Sequence, residues 1–349
     1  MGLLRSSGGM SRQHWLILPD AGDIPSGGHL YNAHVFAALK KADISVHWKQ
    51  WEAVSDSDWQ LLLRQEEAVI WVDSLYLAQL AESTWLNQQR QAKLGMLVHH
   101  LESLHPPEGQ DGADFFDQYE RNCLSSLDAF WCTSTFTEVY LKEKKVGDQA
   151  YVVVPPALPA IPKRSIPSQG PVSAILVANW VERKGIVPFL EALAEQLQPT
   201  DEFQLYLAGS EAIEPDYARQ GQRWLAFQDE LAQRTTVLGA IPQEQLWRLY
   251  PVQHLLISAA QMETYGMAMQ EGRAFGLPIL ALDGGYAYAH VEAGKTGHLC
   301  ETYADLATTF LHLIRQPEGL QQLMETAAAE QPNYPSWEAA ARRYVELVD

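Results

Sequence analysis

Short apolar runs alternate with longer amphipathic stretches along the chain. In the first half the runs are HWLILP (His14–Pro19), SVHWKQW (Ser45–Trp51), AVIWVD (Ala68–Asp73), LGMLVHH (Leu94–His100), DAFWCTS (Asp128–Ser134) and YVVVPPA (Tyr151–Ala157). Runs of this length, rich in β-branched and aromatic residues, read as strands. The stretches between most of them are of helical length, and this alternation predicts a parallel sheet covered by helices on both faces. A proline-rich segment follows, PPALPAIPKRSIPSQGP (Pro155–Pro171). Each proline lacks an N–H and fixes φ, so the segment extends neither sheet nor helix and reads as a linker. The pattern then restarts with VSAILVANW (Val172–Trp180), FQLYLAGS (Phe203–Ser210), TTVLGAI (Thr235–Ile241), HLLISAA (His254–Ala260) and PILALDG (Pro278–Gly284).

The expected fold class is therefore α/β, with two Rossmann-like, doubly wound domains facing across a cleft. The expected bounds are residues 1–158 for the first domain and 159–330 for the second. Residues 331–349, with the helix SWEAAARRYVELV (Ser336–Val348), are expected to cross back onto the first. Ligands in such sheets bind outside the carboxyl ends of the strands.

Length agrees with two domains, since 349 residues exceed one ordinary domain. The 47% hydrophobic content suffices for two cores. Charge narrows the partners. With 25 Lys+Arg against 43 Asp+Glu the formal charge is −18, which repels nucleic acid in the absence of a basic patch. Cys123, Cys132 and Cys300 are scattered without zinc spacing and read as reduced thiols of a cytoplasmic protein. Residues 1–12 lack the apolar core of a signal peptide and read as a loose tail in which Met10 is a candidate start. No apolar run is long enough to span a membrane, and LKEKKVG (Leu141–Gly147) leaves weak peripheral contact as an expectation.

Candidate chemistry sits at strand ends. Gly27 and Gly28 precede an amphipathic run and either admit an anion to backbone N–H groups or form a turn that needs positive φ. They do not form a dinucleotide fingerprint. His99 and His100 end a strand and either contact a polar substrate or serve as capping or core residues. Arg183 and Lys184, followed by Gly185, end the first strand of the second domain, where two cations can neutralise a diphosphate. The triplet Asp56-Ser57-Asp58 precedes an apolar helical run and reads as a helix cap rather than a metal site. Glu263 and Glu271 flank a helix start predicted near Gly266. The free N–H groups around Thr264, Tyr265, Gly266 and Met267 suit a phosphate, and the carboxylates suit sugar hydroxyls.

The segments RKG, LYLAGS, VLGAIPQEQLWRLY, ISAAQMETYGMAMQEGRAFGLPILALDGG and AGKTGHL occur in the order seen in glycosyltransferase family 4. The second half resembles that family, whose members are retaining, nucleotide-sugar-dependent enzymes of GT-B fold. The first half is similar through SGGHLY, LVHH, SLDAFWCTS and VVVPPAL. The resemblance implies that Glu263 holds donor-sugar hydroxyls, Glu271 the ribose, and Arg183 with Lys184 the diphosphate. It places Gly27 and Gly28 beside the phosphates and acceptor, His99 or His100 at the transferring sugar, and the backbone from Gly239 to Ile241 at the base. Two departures stand out. Asn179 occupies a position where many relatives carry arginine, and Gly272-Arg273 replaces the usual Glu-Ala.

The reading is a metal-independent retaining hexosyltransferase with no cofactor beyond its nucleotide-diphosphate sugar donor. Its acceptor is a saccharide, a lipid-linked sugar or a small molecule. Asn179 and Gly272 keep open a binding protein without turnover, and a sugar-nucleotide epimerase of similar fold is a further alternative.

Overall fold

The computed structural model of the chain describes residues 12–20, 26–106, 109–166 and 171–348. The N-terminal tail before residue 12, with Met10, lies outside the described residues, as do Pro25 and linker residues 167–170. The chain divides into two compact units. The first comprises Met1–Pro159 and Pro335–Asp349, and the second Ala160–Tyr334.

The first unit holds six parallel strands, β1 (Gln13–Ile17), β2 (Val46–Lys49), β3 (Ala68–Asp73), β4 (Lys93–Val98), β5 (Ala129–Cys132) and β6 (Ala150–Val153), in the order β2-β1-β3-β4-β5-β6. Helix α1 (Gly27–Lys41) follows β1. Every residue of β3 and β5 is buried, as expected for strands covered on both faces. The second unit repeats the plan with β7 (Val172–Val177), β8 (Phe203–Ala208), β9 (Thr235–Gly239), β10 (Leu255–Ser258), β11 (Ile279–Leu282) and β12 (Gly297–Cys300), ordered β12-β11-β10-β7-β8-β9. Helices α2 (Ile186–Gln196) and α3 (Met267–Ala274) follow β7 and β10, and α4 (Pro317–Ala329) comes late in the unit. One face of this sheet packs around Trp180, Phe189 and Phe310, the other around Tyr250, Met269 and Phe275.

Strand β12 is absent from the sequence reading. It is a short edge strand whose first residue is Gly297 at φ 153°, so neither length nor β-branching marks it. The expected run Ala68–Asp73 coincides with β3, whereas the runs Thr235–Ile241 and Pro278–Gly284 extend past the observed ends of β9 and β11 into the loops at the carboxyl edge.

The last helix, α5 (Trp337–Val348), belongs to the first unit. The hydroxyl of its buried Tyr344 accepts from Trp71 Nε1 at 2.7 Å and lies in hydrogen-bonding contact with His14 Nδ1 at 2.7 Å. The Tyr344 ring stacks on Trp131 with centroids 4.2 Å apart. An aromatic with a satisfied polar tip contributes both area and direction to packing. Burial pushes the His14 imidazole down to about 4, with Arg12 adding to the shift, so His14 is neutral in this core.

Candidate functional site

Strand order locates the two candidate sites. In each sheet the chain winds one way from its first strand and then returns to wind the other way. The reversal falls between β1 and β3 in the first unit and between β7 and β10 in the second. Loops leaving the carboxyl ends of adjacent strands diverge there and open a crevice.

In the second unit the crevice is flanked by the loops after β7 and β10. The loop after β7 ends in a short 3₁₀ turn, Glu182–Lys184, and Gly185 at φ 64° then starts α2. A side chain on Gly185 would strike the carbonyl oxygen of Ala259 and the hydroxyl of Tyr303, so this glycine permits both the left-handed turn and the close approach of the β10 loop. The turn aims Lys184 across the crevice. Its Nζ donates to Glu263 Oε1 at 2.5 Å, and the two side chains are only 18% and 16% exposed. Burial pushes the Lys184 ammonium down, opposed by the Glu263 carboxylate, while Arg183 adds to the lowering. Glu263 is itself held by the loop after β11, its N–H donating to Gly284 O at 3.4 Å and its carbonyl accepting from Tyr286 N at 2.7 Å.

Arg183 does not join this pair. Its side chain is exposed, and it forms no ion pair among the described residues. Asn179 clamps loops instead. Its Oδ1 accepts from Ser210 N at 2.9 Å, which ties the end of β7 to the end of β8.

Helix α3 starts at Met267 after Gly266 at φ 88°. The expected donors shift accordingly. Gln270 N–H already bonds Gly266 O, so the free N–H groups of the first turn are those of Met267, Ala268 and Met269, while Thr264 and Tyr265 precede the helix. Tyr265 is buried, its ring 5.3 Å from that of His290, and its carbonyl meets His290 Nε2 at 2.6 Å.

Glu271 lies one turn further in and is buried. Its Oε2 accepts from Tyr250 Oη at 2.8 Å and its Oε1 from Gln243 Nε2 at 3.0 Å. Burial pushes its carboxyl up, and the Tyr250 and Gln243 bonds oppose that shift. Gln243 arrives from the segment after β9, where Gly239 at φ 65° turns the chain and Ile241 packs on the core that contains Tyr250. The two carboxylates therefore have separate partners.

The Gly272-Arg273 departure has a packing account. A Cβ at 272 would lie 2.9 Å from Leu256 Cδ1 and 3.0 Å from Ile279 Cδ1, so α3 sits unusually close to the sheet. Buried Arg273 donates to Ala327 O at 3.4 Å and Glu330 O at 3.2 Å, capping the end of α4.

In the first unit Ser26 is the N-cap of α1, and Gly27 and Gly28 are its first helical residues. The turn of positive φ offered for them in the sequence does not form. Gly28 provides room instead. A Cβ there would lie 3.3 Å from the His99 ring. His99 Nε2 meets Asn32 Oδ1 at 2.8 Å and lies 3.5 Å from Asp73 Oδ2, while Asn32 Nδ2 donates to that same Asp73 oxygen at 2.7 Å. Asp73 Oδ1 accepts from Leu75 N at 2.9 Å, and Ser74 Oγ accepts from the N–H groups of His99 and His100 at 3.1 and 3.3 Å. Asn32, Asp73, Tyr250 and Gln243 escaped the sequence reading. Asp73 ends a fully apolar strand, and that carboxylate was the one available signal.

At the remaining candidate, Ser55 is the N-cap of the helix Asp56–Leu63 and Asp58 closes its capping box, which accounts for the acidic triplet. No group of three metal-ligating side chains occurs among the described residues, and no described helix is long and apolar enough to cross a membrane. All three cysteines are buried and unpaired.

Two parallel six-stranded sheets, each with its crevice at a reversal of strand order, define the GT-B fold of two Rossmann-like domains. Residues 160–330 match the family model described as glycosyl transferases group 1, so the second unit carries the group 1 glycosyltransferase pattern. A D-inositol 3-phosphate glycosyltransferase of Rhodococcus opacus is 29% identical over 118 residues, 33% of this chain. The matched region spans about a quarter (26%) of that relative's length. Sucrose-phosphate synthase from Thermosynechococcus elongatus superimposes with a TM-score of 0.74 at 18% identity, covering 96% of this chain and 98% of that one. Anabaena HepE, solved in complex with UDP and glucose, gives 0.72 at 16% identity, covering 96% and 99%. At these identities the likeness to the two solved structures is one of fold.

Proposed function

We propose that this protein is a retaining glycosyltransferase of family 4 that moves a hexosyl group from a nucleotide-diphosphate sugar to a hydroxyl acceptor without a metal ion. The observation that carries the reading is the Lys184–Glu263 pair, set across the strand-order reversal of the unit that matches the group 1 model and next to the start of α3.

Breaking the bond to a nucleoside diphosphate leaves negative charge on phosphate oxygens, and fixed cations and dipoles stabilise such charge. Lys184 supplies a partly desolvated cation, and the free N–H groups of Met267–Met269 supply a helix terminus. Exposed Arg183 adds to the field that attracts the donor. Glu263, already bonded to Lys184, keeps its second oxygen for a sugar hydroxyl. Glu271, aligned by Tyr250 and Gln243, accepts from the ribose, and the backbone of Gly239–Ile241 borders the base. In the first unit His99 meets the transferring sugar, with Gly27 and Gly28 at the neighbouring wall. The donor phosphate itself takes the proton of the acceptor hydroxyl. HepE, solved with UDP and glucose, and the D-inositol 3-phosphate glycosyltransferase support this substrate class.

A thermal-shift panel of nucleoside diphosphates and their sugars, followed by donor turnover in EDTA, tests the proposal. Ligand at a hundredfold excess over its Kd raises stability by about 2.7 kcal/mol. Stabilisation by at least one diphosphate and turnover that survives EDTA are expected. Activity that disappears with EDTA and returns with manganese would overturn the metal-independent assignment.

A further inference from the structure

The group formed by buried Asn32 and Asp73 with the partly buried His99 has a chemical consequence beyond its place at the strand-order reversal. Asp73 is fully buried, and as a carboxylate it can only accept hydrogen bonds. Its Oδ1 takes Leu75 N–H, and its Oδ2 lies 2.7 Å from the Asn32 side chain. Asn32 must turn its NH₂ toward that oxygen, and its own oxygen then faces His99 at 2.8 Å. Both groups near His99 Nε2, the Asn32 oxygen and the Asp73 carboxylate at 3.5 Å, are acceptors. The proton of a neutral imidazole therefore resides on Nε2, which leaves a lone pair on Nδ1. No hydrogen bond engages Nδ1 among the described residues. The ring cannot readily escape this setting, since the Gly28 backbone lies along one side and the Tyr31 ring meets it edge-on at 5.2 Å.

We infer that Asp73 and Asn32 are positioning residues that lock His99 in the Nε2–H tautomer and present Nδ1 as a hydrogen-bond acceptor to a substrate hydroxyl. This rests on the sugar-transfer reading of His99. The choice of an amide between the two groups matters. Asn32 passes on the orientation set by Asp73 without adding a second negative charge, so the imidazole keeps its lone pair at neutral pH. Burial also pushes the imidazole down, opposed by Asp73 and reinforced by His29. The other polar side chain that meets the ring is Tyr31, which is uncharged.

Long-range ¹H–¹⁵N correlation spectra of ¹⁵N-histidine-labelled protein, assigned with His99→Gln, read the tautomer without any substrate. An unprotonated Nδ1 and a protonated Nε2 at pH 7 are expected. A protonated Nδ1 or an imidazolium at pH 7 would overturn the inference. Asn32→Asp supplies the second test. Its carboxylate favours imidazolium, which has no acceptor at Nδ1. Turnover at pH 7 should fall about three- to tenfold, as for loss of one hydrogen bond, and should recover as rising pH deprotonates the ring. KM for the donor should change less than kcat. Equal loss at every pH, or a pH profile that superimposes on the wild type, would refute the positioning role. A chain with the expected tautomer that turns over no donor would retire the transferase reading and leave the tautomer lock standing.

Discussion

Exchanging Lys184 and Glu263 singly and together separates charge at the leaving group from support of the loops. The pair bridges the β7 and β10 loops at 2.5 Å with side chains 18% and 16% exposed. Lys184→Met keeps most of the stem and removes the charge, stranding the Glu263 carboxylate in a partly desolvated place. A hydrogen bond to a charged group is worth about 1.5–3 kcal/mol, and breaking a fully buried pair costs about 3–5 kcal/mol. Residual exposure places this pair in the lower range. Glu263→Gln retains an oxygen acceptor and should cost less. The double exchange should be less destabilising than the sum of the single ones by at least about 1 kcal/mol, read by chemical denaturation as a coupling energy. Binding divides the residues differently. Diphosphate must compete with Glu263 for Lys184, so Lys184→Met should raise Kd for the nucleoside diphosphate about 10- to 150-fold, whereas Glu263→Gln should leave it unchanged or lower it. Isothermal titration reads both. If Lys184→Met binds the diphosphate as the wild type does, or if the two single variants lose equal affinity, the leaving-group role of Lys184 fails and the pair is a loop clamp.

Tyr250→Phe removes one of the two donors to the buried Glu271 and should push its carboxyl further up, so nucleoside diphosphate affinity should begin to fall at a higher pH than in the wild type as acid is added. Glu271→Gln should weaken that affinity where the wild-type carboxyl is ionised and converge on the wild type in acid, and a Tyr250→Phe titration curve identical to the wild type would exclude the aligning role. Gly185→Ala should cost at least about 2 kcal/mol, because alanine at positive φ adds to a collision with the Ala259 backbone. Wild-type melting of that variant would show that the tight turn after Lys184 is not required.

The sequence by itself was enough for the α/β class, because buried parallel strands such as AVIWVD carry their own pattern of apolar runs between helical stretches. It also pointed to Lys184, Glu263 and Glu271 as chemistry-bearing positions, since a cation at a strand end and carboxylates flanking a helix start have few packing reasons to be there. Their pairing was decided by tertiary structure. Lys184 and Glu263 are 79 positions apart and meet because the sheet places β10 beside β7. The same holds for Asn32, Asp73 and His99, drawn from α1, β3 and the end of β4, none of which identifies its partners locally. Arg183 shows the converse limit. It adjoins Lys184 in sequence, yet the 3₁₀ turn directs one side chain to Glu263 and leaves the other in solvent. Gly272 and Arg273 were departures from a family pattern until the close seat of α3 on Leu256 and Ile279, and the carbonyls ending α4, gave each a packing role. Periodicity reports which face of an element is buried. Which distant polar atoms then come within hydrogen-bonding reach depends on strand order and loop path, and those are set by the whole core.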